Sequence, residues 1–391
     1  MASPPPPSQR QITLTLGLSQ LLAWGSSYYL LAVLARPMAD SFGLSPVVIY
    51  AMFSAALVVA GLLGPVVGAR TDRRGGRAVL RVSSIAFALA HLVMATAPHP
   101  AWLAFGWLLL GAAMPFGLYD AAFSTAVGLY GEQARRTIVG ITLIAGFSSS
   151  LSLPISAFME AQFGWRSACA LWAVLHLTLG LFLHSQKLPR GGGRLSEASA
   201  GEGEALAPPS AARLWLLAAI FAAGGFVFSA YAAHLPRVLE ALGATPMAAI
   251  AAASLVGVAQ VAGRVLELGA FNRLPGLFSA RLATALHPLG ALLLLAAGPP
   301  LAALFAVLHG AGQGIMTIVK GTLPLQLFGA AGFGKRAGLL EGPSRFAQAS
   351  APLLFGLAVE HWGAQVLWLS AALTAFAFAG VWSLGAGRRP Q

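Results

Sequence analysis

Five ionisable residues stand within stretches otherwise too apolar to hold them: Asp120, Arg264, Lys320, Glu341 and Arg345. A charge inside a bilayer costs about 3 kcal/mol by the milder scales, so each is read as functional and assigned a partner. Three cations against two acids is the balance of a site that binds a small organic anion. Arg345 lies roughly 15 Å along its helix from the cytoplasmic end, close to mid-depth, and is the expected anion anchor. Glu341 precedes it by four residues, the order that favours a helix salt bridge, so the pair could also simply neutralise itself. Arg264 sits at a similar depth. It could share Glu341 or the substrate, or snorkel to the headgroups. Glu267, one turn on, reads as interfacial.

Lys320 and Asp120 are expected near the cytoplasmic edge. Lys320 serves either a gate or the substrate; Asp120 either pairs with Arg73 or Arg77 or carries a proton. Glu341, Asp120 and His234 are the proton-coupling candidates, and His234 stands near an outer end, where an exposed histidine is the plainer reading. Gln313, within GAGQG (310–314), serves the site or marks close glycine packing.

The elements that must position these residues follow from composition. The chain has 391 residues, 57% hydrophobic and 9% charged, whereas a soluble domain runs near 45–50% apolar and about 25% charged. That excludes a soluble enzyme, a collagen, a disulfide scaffold and a disordered chain. The one cysteine, Cys169, forms no intramolecular disulfide. No Walker loop, no Cys/His cluster and no G-x-S-x-G elbow is present, so no enzyme activity, metal or cofactor is expected.

A membrane helix needs about 20 apolar residues, and twelve segments qualify: 12–36, 46–69, 78–97, 101–129, 137–159, 164–185, 213–236, 246–268, 277–297, 300–327, 337–358 and 364–385. Short polar breaks separate them, such as PHP at 98–100 and GFGKR at 332–336. Residues 186–212 are rich in Gly, Ser and Glu and read as a flexible cytoplasmic linker. It divides an amino-terminal six-helix half (1–185) from a carboxy-terminal one (213–391). The Pro-rich start, MASPPPPSQR, does not read as a cleaved signal peptide. With the amino terminus inside, 18 of the 24 basic residues fall on the cytoplasmic side, among them Arg135, Arg136, Lys335, Arg336, Arg388 and Arg389. Both termini are therefore expected inside. The net charge of +12 then needs no nucleic acid.

Sliding the chain over itself by 200 positions aligns DSFGLSP (40–46) with EALGATP (240–246), Asp72-Arg73 with Asn272-Arg273, and Glu160 with Glu360. Asp120 falls on Lys320 at the same offset. Gly111 meets Gly310 at 199, and Leu171-Trp172 meets Leu367-Trp368 at 196. Two duplicated six-helix halves are the plan of a secondary transporter with its site between them.

The turn after the second segment reads GARTDRRGGR (68–77), and FGWR (163–166) opens the sixth. These resemble the major facilitator superfamily, whose signature G-x-x-x-D-R-x-G-R-R has its places taken here by Gly68, Asp72, Arg73, Gly75 and Arg77, with Gly76 before the last Arg. The resemblance implies an all-α membrane fold of twelve transmembrane helices in two pseudo-symmetric halves. It also implies that this loop helps latch the cytoplasmic ends. Physically, Gly68 would allow a tight helix end, Asp72 would face a helix N-terminus, and the arginines would seek carboxylates or lipid phosphate. Tyr28, Tyr29 and Tyr231 fall on helices that line the cavity in that family and could donate hydrogen bonds to a carboxylate. VAGRVLE (261–267) and EGPSRF (341–346) resemble the monocarboxylate and oxalate porter branch. The antiporter motif G-P-x-x-G-G is absent from the fifth segment.

These readings converge on a proton-coupled or exchange-type secondary transporter of a small organic anion of the monocarboxylate type. It is expected as a monomer in a bacterial inner membrane, with lipid and protons as its other partners. The alternative is an efflux pump for drugs or toxic metabolites.

Overall fold

The computed structural model describes residues 8–186, 188–189, 210–271 and 276–386, and all regular structure among them is helical. Asn272-Arg273, Arg388, Arg389, the first seven residues and nearly all of the linker lie outside the described residues. Nine helical stretches among the described residues are long and apolar enough to cross a membrane. Two exceed one crossing: Pro100–Gln186 has 87 residues and Phe333–Gly385 has 53, against the roughly 20 that one crossing needs. Both are broken by glycines with positive φ, Gly131 (56°) and Gly164 (79°) in the first and Gly363 (53°) in the second. Only glycine holds that backbone region without steric strain. The FGWR turn is therefore a helix break, with Trp165 buried behind it and Arg166 over its ring at 4.3 Å.

The amino-terminal unit comprises residues 1–206 together with 328–339. Its helices are α1 (Gln9–Gly25), α2 (Tyr28–Asp40), α3 (Pro46–Arg74), α4 (Gly76–Ala95), α5 (Pro100–Gly117), α6 (Tyr119–Tyr130), α7 (Arg135–Ala145), α8 (Ser148–Leu175) and α9 (Leu181–Gln186). The segment expected at 12–36 is interrupted at Ser26-Ser27, and that at 101–129 at Leu118, where ψ is −171°. A π-helical turn, His176–Gly180, interrupts the sixth segment. The carboxy-terminal unit comprises 207–327 and 340–391. It is built from α10 (Ala211–Ala241), α11 (Pro246–Leu266), α12 (Gly276–Ala297), α13 (Ala302–Phe328), α14 (Phe333–Trp362) and α15 (Val366–Ala386).

The repeat read from the sequence recurs as local geometry. Gly43 (φ 64°) and Gly243 (φ 95°) make the same turn. Leu44 N–H donates to Ala39 O at 2.9 Å, and Ala244 N–H to Leu239 O at 3.0 Å. Ser45 and Thr245 then cap helices that open on Pro46 and Pro246, a residue suited to the first turn because its missing N–H would be unpaired anyway. A Cβ on Gly111 would lie 2.3 Å from Ala56 O, and one on Gly310 would lie 2.5 Å from Val256 O. Each glycine thus lets two helices touch backbone to backbone, at positions 200 apart on the partner helix.

The outer surface is apolar. Leu62, Val66, Phe163, Val258 and Leu353 each expose about two-thirds of their area, a pattern that suits lipid rather than water.

Candidate functional site

The GARTDRRGGR turn belongs to the amino-terminal unit. Its helix α3 runs on to Arg74, so Gly68 does not end the helix as expected; Gly75 does, with φ 77°. Gly68 serves a close approach instead. A Cβ there would lie 1.9 Å from Gly334 O, and one on Gly338 would lie 2.3 Å from Gly64 O. Gly64 and Gly68, like Gly334 and Gly338, are four apart. Each pair is a G-x-x-x-G spacing, visible in the sequence, that lets two helices approach closely.

The close approach brings the Asp72 carboxylate onto the first turn of α14. Oδ1 accepts from Gly334 N–H at 2.8 Å and Oδ2 from Lys335 N–H at 2.9 Å. The first turn of a helix has N–H groups with no partner inside the helix, and its positive dipole end favours an anion. Two of the arginines reach backbone carbonyls. Arg73 Nε donates to Ala69 O at 3.3 Å, and Arg77 donates to the carbonyl of Ser185. Asp120 lies in the first turn of α6, just past the break at Leu118. Tyr28 and Tyr29 are half-buried at the start of α2; the Tyr28 ring lies 4.6 Å from Trp24 and 5.2 Å from Phe53.

The carboxy-terminal unit holds the other ionisable residues. Lys320 is not a free cation. Its Nζ donates to Glu341 Oε1 at 3.1 Å, Oε2 at 3.0 Å and Ser344 Oγ at 3.1 Å. The ion partner found for Glu341 is thus Lys320 of α13, not the neighbour four residues along its own helix. Arg345 is itself buried.

Arg264 differs from the snorkelling alternative. It is buried at 8% exposure, and its Nε has no hydrogen-bond partner among the described residues. Around it α11 and α13 touch directly. A Cβ on Gly263 would lie 2.6 Å from Ala311 O, and one on Gly314 would lie 2.1 Å from Gln260 O. Half-buried Gln313 belongs to the same crossing. Glu267 is not interfacial: it is 1% exposed and accepts from Ser279 Oγ at 2.7 Å.

Tyr231 does not line an open site. It is 3% exposed, its hydroxyl lies 2.7 Å from Ser370 Oγ, and its ring packs on His287, Phe305, His309 and Phe355. His234 is no exposed histidine either. It is half-buried, and its Nε2 donates to Pro352 O at 2.7 Å.

The family model described as Major Facilitator Superfamily matches residues 16–287. The crystal structure of the human organic anion transporter MFSD10 (TETRAN) covers 98% of this chain and 100% of its own, at 17% identity and a TM-score of 0.74. The proton:xylose symporter XylE covers 96% and 95%, at 16% identity and a TM-score of 0.73. At those identities the likeness is one of fold. A protein of Thermoproteus tenax, the "Uncharacterized 38 kDa protein in 23S RNA operon", is 30% identical over 138 residues; the match spans 35% of this chain and 37% of that protein. Helices, signature and family model agree: the chain is a multi-pass membrane protein of the Major Facilitator Superfamily, whose members are transporters rather than enzymes.

Proposed function

We propose that this protein is a proton-coupled or exchange-type transporter of a small organic anion of the monocarboxylate type, with Arg264 as its anion-binding cation. The observation that carries the reading is the enclosed Arg264 Nε with no partner among the described residues. An enclosed guanidinium nitrogen without a hydrogen-bond partner is unfavourable, and a carboxylate meets the planar donors of an arginine with two parallel hydrogen bonds. Lys320 is neutralised by Glu341 at 3.0 Å and is assigned to holding α13 against α14. Arg345, Gln313, Tyr28 and Tyr29 remain candidate substrate contacts, and Glu341 and Asp120 candidate proton carriers. The Asp72 contact with α14 is assigned to the latch. Read with breaks at Gly131, Gly164 and Gly363, the nine helical stretches make twelve crossings, with both termini in the cytoplasm.

One observation favours the efflux reading. Trp24, Tyr28, Tyr119 and Phe123 form a chain of rings 4.6–5.1 Å apart, and Trp24 Nε1 has no partner among the described residues. Thermal-shift measurement of the purified protein separates the two. A panel of monocarboxylates is expected to raise Tm, and to lose that effect in R264A. Stabilisation by lipophilic cations alone would replace the anion reading with efflux.

A further inference from the structure

The break between α1 and α2 leaves a backbone carbonyl, that of Ser26, at the carboxy-terminal cap of α1. A buried histidine meets it. His91, on α4, is wholly buried, with Nε2 2.9 Å from Ser26 O and Nδ1 2.7 Å from Phe87 O. A carbonyl oxygen only accepts, and a neutral imidazole carries one N–H. Both contacts are hydrogen bonds only when both ring nitrogens carry hydrogen. In the neutral form one nitrogen lone pair would point at a carbonyl lone pair across a hydrogen-bond distance.

Two features favour a cation at that spot, against the cost of burying a charge. The Ser26 carbonyl is at the negative end of the α1 dipole, where imidazolium is favoured. The π-helical turn places His176 against the same serine, with Nε2 2.8 Å from Ser26 Oγ and its ring 5.9 Å from that of His91. Such turns are frequent at functional sites. Other titratable groups on the elements packed against α4 are His184 on α9, which bonds Ser84 at 2.9 Å, and Cys169, Glu160 and Arg166 on α8. Arg166 reaches Ala97 O, six residues along from His91. α6 brings Tyr119, Asp120 and Tyr130; α3 brings Tyr50 at its start and Asp72 with its arginines at its end; α5 brings none.

We propose that His91 is a proton-binding site, an imidazolium that ties the Ser26 carbonyl of the broken first helix to Phe87 of α4. Loss of its proton removes one of the two ties, so the charge on His91 sets how firmly the break is held. Its part in transport rests on the proton-coupled reading above; its charge state does not.

The test is NMR of the full-length protein with 15N-labelled histidine in lipid nanodiscs, from about pH 5.5 to 8. H91Q assigns the signal. If that variant does not fold, labelling of Ala–His pairs marks only Ala90-His91 and Ala233-His234, and H234Q separates them. His91 is expected to show two protonated ring nitrogens in the acid part of the range. A single neutral tautomer throughout would overturn the proposal. Carboxylate thermal shifts fail separately: R264A abolishes them if the anion reading holds, whatever His91 does.

Discussion

Arg264 is buried at 8% exposure, and its enclosed Nε has no partner among the described residues. Replacing buried charge by an apolar side chain of similar volume is often neutral or stabilising. R264M is therefore expected to raise the Tm of the ligand-free protein while abolishing stabilisation by carboxylates, a loss of roughly 10- to 100-fold in affinity for one charge-assisted pair. R264K should keep a minor part, since a point charge remains without the planar fork. A ligand-free Tm that falls by several degrees in R264M would make the residue structural. The sequence showed that Arg264, Lys320, Glu341 and Arg345 were exceptional, because charge in an apolar run is visible as such. It did not show which would pair. Glu341 meets Lys320, 21 residues away, because the crossing of α13 and α14 sets the partner, while spacing along one helix suggested Arg345. Tyr231 and His234 were misread for a related reason. Polar tips that look like ligands in a list of residues find Ser370 Oγ and Pro352 O once the helices pack.

Helices here approach through glycine, and the duplicated approach is what ties the two halves of the sequence to one design. Gly111 lies against Ala56 and Gly310 against Val256, each with no room for a Cβ. G111V and G310V are each expected to destabilise by about 1–3 kcal/mol through overpacking. Their effects should add, being in separate units, which thermal unfolding of the single and double variants would check. Asp72 works at the same scale. Its two oxygens hold two N–H groups of α14, and Asn can accept only one of them while turning its NH2 on the other. D72N should cost about 1 kcal/mol as a lost cap and slow turnover more than it weakens binding; unchanged turnover would remove the latch role. The segments themselves were legible as apolar runs with Gly, Pro and charged breaks. The interruptions at Ser26-Ser27, Leu118 and His176–Gly180 were not. Nothing in an apolar run marks where a backbone bond is given up, since a side chain from another helix, such as His91 at the Ser26 carbonyl, makes up for it.

At the scale of the whole molecule, orientation is the claim that the distribution of Lys and Arg makes. In a C169S background, cysteines at His99 and Pro300 should react with an impermeant thiol reagent from outside. One at Glu132 should react only after permeabilisation. The reversed pattern would invert every depth assigned above. Family membership follows from the match over residues 16–287, and the signature at 68–77 had already pointed there, because its glycines and aspartate do geometric work that few other residues can do. The reading of the cargo as a carboxylate rests on the resemblance at 261–267 and 341–346 and on the Arg264 Nε that has no partner among the described residues. The most direct test of that claim is counterflow of radiolabelled monocarboxylates in proteoliposomes, wild type beside R264A. Saturable exchange by the wild type and its loss in R264A is the predicted result. Exchange undiminished in R264A, or none for any carboxylate with a protein that binds lipophilic cations, would contradict it.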